Sequence, residues 1–241
     1  MKAGARSGIL LGTLLMAGGF GLGGVPAEEI SGARHETVHV VYRLYYSGVP
    51  VGEVTDLWTR TGTSYRISSA AQPYPVLRWL APSFRETSTG SVSADTLLPS
   101  HFEHRRSDDA QTLMTDFHWD TGELVHHFDG RTESVPLPPG AQDMLSIKYL
   151  YRVAGDAMLD RDIPMSTGKR LEVHHLVLRD EEDLDSPAGH FKTRHVVDQQ
   201  QQAPSRFELW LPEDRRYPPI RMQVSERGHQ WEQRMLRVEI E

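Results

Sequence analysis

The chain has 241 residues, with 26 basic and 33 acidic side chains and a formal net charge of −7, which argues against a dedicated nucleic-acid-binding protein. Apolar residues make up 38% of the chain, which is enough for a packed core and argues against wholesale disorder. The chain contains no cysteine, which excludes a disulfide scaffold, a thiolate metal site and a cysteine nucleophile.

The N-terminus, residues 1–27, has the layout of a secretory signal peptide. Lys2 and Arg6 precede an apolar, glycine-rich run that ends in the small-residue pattern Val25-Pro26-Ala27. The run is short for a membrane-spanning helix, so cleavage is the favoured interpretation and a retained anchor is the alternative. No cysteine follows the run, so lipoprotein attachment is excluded.

The predicted mature chain, residues 28–241, is expected to be a single antiparallel β domain in the periplasm. It contains no second apolar run of spanning length, so no transmembrane segment is predicted in it. Loss of Lys2 and Arg6 with the signal makes its net charge more negative than −7. That charge favours capture of an apolar chain over attraction to anionic lipid head groups.

The pattern of this domain is typical of antiparallel β structure. Short runs rich in Val, Tyr, Leu and Phe alternate with turn signals about every 8–12 residues, which favours a sheet over βαβ units. Candidate strands fall within residues 38–60, 63–72, 96–106, 112–128, 170–180, 189–200, 205–214, 220–228 and 229–241. The predicted fold class is all-β: a strongly curved antiparallel sheet, an open barrel or a β-sandwich of about ten or more strands.

One short helix is predicted near residues 143–154. Asp143 can cap it, Gly155 can end it, and four apolar residues between them have helical spacing: Met144, Ile147, Leu150 and Tyr151. Ser146 lies three residues after Asp143. Because Ser and Asp are common at helix starts, we interpret Asp143 and Ser146 as a structural cap and predict no catalytic residue.

An apolar stretch bounded by prolines, PYPVLRWLAPSF at residues 73–84, is too irregular for a central strand. We interpret it as a flap over the open end of a curved sheet, whose concave apolar face could hold a lipophilic ligand. The alternative is a loop that plugs the end of the sheet. The predicted ligand-binding residues are Tyr74, Val76, Leu77, Trp79, Leu80 and Phe84.

A candidate metal site consists of Asp116, His118 and Asp120, which point to one face of an extended strand, whereas Phe117 and Trp119 point to the other. The alternative is a solvated polar face above an apolar one. The adjacent pairs His126-His127 and His174-His175 cannot each chelate one ion, because neighbours on a strand point to opposite faces.

Motifs of known catalytic chemistry are missing from the sequence. It contains no G-x-S-x-G elbow, no H-E-x-x-H and no glycine-rich phosphate loop. Their absence favours a non-enzymatic protein, and no cofactor is predicted.

Several segments together resemble a family of bacterial exported proteins, those with domain of unknown function 3108 (DUF3108). They are YSGVPVGEV, LLPSHF, FHWDTG, AQDMLSIKYLYR, SPAGHFKTRHV and ELWLPEDRRYPPIRM, spread between Val40 and Glu239. The resemblance implies an exported, mostly antiparallel β domain with a short helix after the Gln-Asp pair. It implies no established reaction and no catalytic residues. A looser similarity connects the chain to curved-sheet envelope proteins that cradle lipids or lipoproteins.

Three functions are therefore open at this point. The first is a non-enzymatic periplasmic protein of the cell envelope, which binds a lipid, a hydrophobic small molecule or an envelope partner protein. The second is an envelope hydrolase that uses a metal or paired carboxylates. The third is a structural adaptor that pairs through an exposed sheet edge. An apolar cavity of several hundred cubic ångströms would support the first, and converging imidazoles and carboxylates the second.

Overall fold

The computed structural model describes residues 35–78, 82–107, 112–199, 205–226 and 228–241. The predicted signal peptide lies outside these residues. The described chain is mostly β-strand with one short α-helix, which confirms the predicted all-β class. In this part of the chain, no helix is long and apolar enough to cross a membrane.

Fifteen strands, one α-helix and two 3-10 turns make up the described secondary structure. The strands are β1 (His35–Tyr46), β2 (Val49–Thr61), β3 (Ser64–Pro73), β4 (Phe84–Ser93), β5 (Thr96–Arg106), β6 (Thr112–His118), β7 (Glu123–Phe128), β8 (Arg131–Pro136), β9 (Gln142–Asp143), β10 (Arg161–Ser166), β11 (Leu171–Ser186), β12 (Gly189–Asp198), β13 (Ser205–Pro212), β14 (Arg221–Glu226) and β15 (His229–Ile240). The helix is α1 (Ser146–Ala154), and the 3-10 turns are Pro75–Leu77 and Gly155–Met158.

Strand β3 illustrates how the sequence pattern produces the sheet. Tyr65, Ile67 and Ala71 are buried, whereas Arg66, between the first two, and Gln72, after the third, are exposed. Because side chains alternate between the two faces of a strand, this pattern places one face on the core and the other in water.

All fifteen strands belong to one sheet, in the order β8-β7-β6-β5-β4-β3-β2-β1-β15-β14-β13-β12-β11-β10-β9. Most neighbours are consecutive in the chain and pair antiparallel. Strand β1 also pairs with β15, which joins the two ends of the domain, and β9 pairs parallel with β10. The two edge strands of the sheet, β8 and β9, are therefore consecutive in sequence.

This connection requires the sheet to be rolled. A flat sheet of this size would separate its edges by about 65 Å, at about 4.8 Å per strand. Residues 137–141 join β8 to β9 and can span only about 20 Å when fully extended. The edges must therefore lie close together. Consistent with this, Thr115 on β6 and Ser166 on β10 are hydrogen-bonded through their hydroxyls at 2.9 Å.

Two glycines allow neighbouring strands to approach closely where the pairing register shifts. A Cβ atom at Gly90 would clash with the carbonyl oxygen of Leu98, and one at Gly52 with that of Gln72. Both glycines lie next to register shifts, in the β4–β5 and β1–β2 pairs respectively. Such bulges increase strand bending and twist, which suits a rolled sheet.

Helix α1 is enclosed by the sheet, and most of its residues are buried. Tyr149 stacks on Trp58 of β2, with ring centroids 5.5 Å apart. Two of its residues are cations with almost fully covered side chains, and each is paired with an acid of the sheet: Lys148 with Asp56 and Arg152 with Glu36. The helix predicted near residues 143–154 is confirmed. It begins only at Ser146 because Asp143 belongs to β9.

Candidate ligand-binding site

A cavity of about 380 Å³ lies inside the rolled sheet, beside the start of α1. We call the interior next to Met144–Lys148 the first-turn side, and the interior next to Tyr151–Gly155 the last-turn side. Eleven of the sixteen residues that line the cavity are apolar. Phe84 of β4 contributes from one part of the sheet, and Phe207 of β13 and Val224 of β14 contribute from the other.

The polar groups of the cavity are largely satisfied within the protein. Lys148 Nζ donates to Asp56 Oδ2 at 2.5 Å and to Gln233 Oε1 at 2.8 Å, and it lies 4.0 Å from the centre of the Tyr42 ring. His104 and Glu86 are 2.8 Å apart. The remaining surface available to a ligand is therefore mainly apolar.

The predicted ligand-binding residues have different positions. Phe84 lines the cavity, whereas Val76 is 78% exposed and is not among the residues that line it. Tyr74 is partly buried, and Leu77 packs against the core around Tyr42 and Val54. Trp79 and Leu80 lie outside the described residues.

Of the predicted metal-binding residues, Asp116 and His118 are on the outer face of β6, opposite to the buried Thr115 and Phe117, and Asp120 lies in the turn that follows. Asp116 bonds to two histidines from neighbouring strands. Its Oδ1 is 2.7 Å from His101 Nδ1, and its Oδ2 is 3.2 Å from His127 Nε2. His118 and Asp120 are exposed.

Another group of possible metal ligands, Asp180, Glu182 and His195, lies on the outer face of β11 and β12. Its atoms already have partners. His195 bonds through Nδ1 to Asp180 at 3.1 Å and through Nε2 to Glu208 at 2.8 Å. Glu182 accepts a hydrogen bond from the indole of Trp210. A metal ion would have to displace one of these contacts, so the group is explained by interactions within the sheet.

The adjacent histidines point to opposite faces, in agreement with the alternation of a strand. His126 is buried and its Nε2 is 2.9 Å from Ser166 Oγ, whereas His127 faces outward. Burial lowers the pKa of His126. His174 is buried and bonded to Asp198 at 2.7 Å, whereas His175 faces outward.

Asp143 and Ser146 form a closed set of hydrogen bonds at the start of α1. Asp143 Oδ1 accepts from the backbone N–H groups of Leu145 and Ser146, at 2.9 and 2.7 Å. Ser146 Oγ accepts from the N–H of Asp143, and Ser88 donates to Asp143 Oδ2 at 2.6 Å. Burial raises the pKa of Asp143 from 3.8 to about 6. These contacts stabilise the helix start and leave Ser146 without a histidine partner among the described residues.

The Lys148–Asp56 pair was not found by sequence reasoning. The sequence nevertheless contained an indication of the pair. Asp56 lies two residues from both Val54 and Trp58, which face inward, so it points to the same face of β2. Lys148 likewise lies among buried residues of α1. A charged residue at an inward position indicates a buried partner, but the partner is 92 residues away in sequence.

Comparison with known proteins establishes the family. The model of the family described as protein of unknown function (DUF3108) matches residues 41–227, and the chain therefore belongs to this family. This confirms the resemblance that the sequence motifs indicated. No curated protein matches the chain.

The fold resembles a crystal structure described as a beta-barrel-like protein of domain of unknown function DUF1849 from Brucella abortus. The similarity has a TM-score of 0.54 at 12% sequence identity, and it covers 87% of this chain and 99% of that chain. At this identity the likeness concerns the fold alone.

Proposed function

We propose that this DUF3108 protein is a non-enzymatic binding protein that holds the apolar part of a lipidic ligand in the cavity on the first-turn side of α1. We further propose that it does so in the periplasm, after export directed by residues 1–27, as part of cell-envelope maintenance. The observation that carries the proposal is the cavity itself. Its volume of about 380 Å³ falls in the range of about 300–1,000 Å³ that is usual for ligand pockets.

The character of the lining favours binding of an apolar chain. Phe84, Phe207, Met165, Met222 and Val224 offer aromatic and flexible apolar surface. Each Å² of apolar surface removed from water contributes about 25 cal/mol, so an acyl chain would gain several kcal/mol by entering. Met side chains adapt to ligands of different shape, which suits a chain that can bend.

The same region gives less support to catalysis. Among the described residues that line the cavity, His104 is the one imidazole, and its Nδ1 is bonded to Glu86. The group formed by Asp180, Glu182 and His195 is on the outer face of the sheet. Pairing through a sheet edge is also less favoured, since the edge strand β8 carries Arg131 and Glu133, which oppose edge-to-edge contact.

Binding of N-phenyl-1-naphthylamine, an uncharged apolar fluorophore, tests the proposal. We expect its fluorescence to rise on binding to the full chain. Val224→Trp should fill the cavity and weaken this binding at least about tenfold. The matched control is Val173→Trp, at a 40% exposed position on β11, and it should bind within about twofold of wild type.

Two further measurements keep the test decisive if Val224→Trp does not fold. Met222→Ala enlarges the cavity and should change the preference for probe size. Mass spectrometry of an organic extract of the natively purified protein should detect a co-purified lipid. Absence of probe binding by wild type, or equal binding by the two Trp variants, would contradict the proposal.

A further inference from the structure

A second pocket, of about 590 Å³, lies where strands β3 and β5 end and β4 begins. Four arginines line it: Arg78, which follows the 3-10 turn, Arg85 of β4, and Arg105 and Arg106 of β5. All four are exposed. We call this pocket the arginine groove. It concentrates positive charge in a chain whose formal net charge is −7.

The arrangement of these arginines has an energetic cost for the free protein. Arg85 and Arg105 are directly opposite each other in the β4–β5 pair. Like charges in this position are destabilising. Arg105 forms an ion pair with Glu103. Within the described part of the chain, no carboxylate lies within ion-pair distance of Arg78 or Arg85.

The arginine groove and the apolar cavity are neighbours. Phe84 and Arg106 line both of them. These two residues are also directly opposite each other in the β4–β5 pair. They are the first residue of β4 and the last residue of β5, whereas Arg85 and Arg105 form the next opposed pair and project from the other face of the sheet. A molecule that leaves the cavity past Phe84 and turns round this end of the two strands reaches the arginine groove.

We propose that the arginine groove binds the anionic head group of a single-chain amphiphile whose acyl chain occupies the cavity. This inference rests on the proposed function, and it adds the charge of the ligand. The guanidinium fork matches the oxygens of phosphate and carboxylate and bonds them in pairs. An anion between Arg85 and Arg105 would also offset their mutual repulsion. Net charge alone pointed away from anionic head groups, but it does not say where charges lie.

Displacement of N-phenyl-1-naphthylamine by two dodecyl compounds tests the inference. Dodecyl phosphate carries the anionic head group, and dodecanol has the same chain without charge. We expect wild type to bind dodecyl phosphate about tenfold more tightly than dodecanol at low salt, and to lose most of this preference near 1 M salt, because exposed charges are screened.

The double variant Arg85→Gln with Arg105→Gln should abolish the preference for dodecyl phosphate and leave dodecanol binding within about twofold of wild type. The matched control is Arg66→Gln with Arg131→Gln. It removes the same charge from exposed positions on β3 and β8, away from the groove. The control should retain the wild-type preference.

Three outcomes would overturn the inference. One is an unchanged preference in the Arg85/Arg105 double variant. The second is equal loss of preference in the control pair, which would assign the effect to net charge. The third is competition by inorganic phosphate as strong as that by dodecyl phosphate, which would make the groove a site for a free anion. Each is distinct from failure of the proposed function, in which the fluorophore itself does not bind.

Discussion

The two sides of helix α1 use arginine differently. On the last-turn side, two arginines have carboxylate partners: Arg152 pairs with Glu36, and Arg194 pairs with Asp156 and, at 3.5 Å, with Glu181. In the arginine groove, next to the cavity of the first-turn side, Arg85 is opposite another arginine, Arg105. Ion pairs of arginine therefore lie on one side of the helix, and the apolar cavity lies on the other.

The difference indicates that the paired arginines stabilise the fold, whereas the arginines of the groove bind a ligand. A buried cation needs a partner, since burial without one costs several kcal/mol. Arg152 illustrates this, because its side chain is only 4% exposed. An exposed arginine needs none for stability, so the direct opposition of Arg85 and Arg105 is more readily explained by an external anion.

The largest expected effect concerns Lys148, which lies on the first-turn side but is paired like the arginines of the last-turn side. Lys148→Met leaves Asp56, with 0% exposed side chain, without its cation. We expect the free energy of unfolding in urea to fall by about 3–5 kcal/mol. The double variant Lys148→Met with Asp56→Asn should recover most of the loss, because no buried charge remains. A loss below about 1 kcal/mol in the single variant would contradict this role.

The next effect concerns Asp143, at the start of α1. Because its pKa is raised to about 6 by burial, the folded protein holds this proton more tightly than the unfolded chain does. Its contribution to stability is therefore full below about pH 4 and is lost as the pH rises through about 6. The difference from 3.8 corresponds to about 3 kcal/mol.

Asp143→Asn removes this titration. The free energy of unfolding of wild type minus that of Asp143→Asn should therefore decrease by about 3 kcal/mol between about pH 4 and pH 7. Asp120→Asn, at an exposed carboxyl group, is the control, and its difference from wild type should stay nearly constant. A constant difference for Asp143→Asn would show that its burial does not govern its titration.

The sequence predicted the local structure more fully than the closure of the sheet. Alternation such as that of Tyr65, Ile67 and Ala71 is a local property, and so are the hydrogen bonds of Asp143 at the start of α1 and the position of Gly155 at its end. The pairing of β1 with β15, in contrast, joins the two ends of the described domain. Its register depends on packing between residues that no local pattern connects.

The candidate site was predictable only in part for the same reason. Phe84 was identified because it ends an apolar, proline-bounded stretch. Phe207 and Val224, which meet it across the cavity, come from strands that join it only after the sheet rolls. Likewise, Arg85 and Arg105 became neighbours through the register of β4 and β5, which their sequence positions do not reveal.

A smaller effect is expected from the last-turn side. Glu36→Gln removes the carboxylate partner of Arg152, whose pKa is lowered by burial and raised by Glu36. Because the Glu36 side chain is 27% exposed, we expect a loss of only about 1–3 kcal/mol in urea unfolding. Glu133→Gln, on the exposed strand β8, should change stability by less than about 0.5 kcal/mol. Equal losses of unfolding free energy in Glu36→Gln and Glu133→Gln would show that the pair with Arg152 adds no more stability than an exposed carboxylate does.

The smallest expected effect on stability, that of Arg85→Gln, tests most directly whether the arginines on the two sides of α1 differ in role. Arg85→Gln removes one of two opposed charges, so it should leave the melting temperature unchanged or raise it slightly at low salt. The gain should vanish near 1 M salt, where the repulsion is screened in wild type as well. A loss above about 1 kcal/mol would mean that Arg85 stabilises the sheet. The arginines on both sides of α1 would then share a structural role, and an anion would no longer be needed to explain their positions.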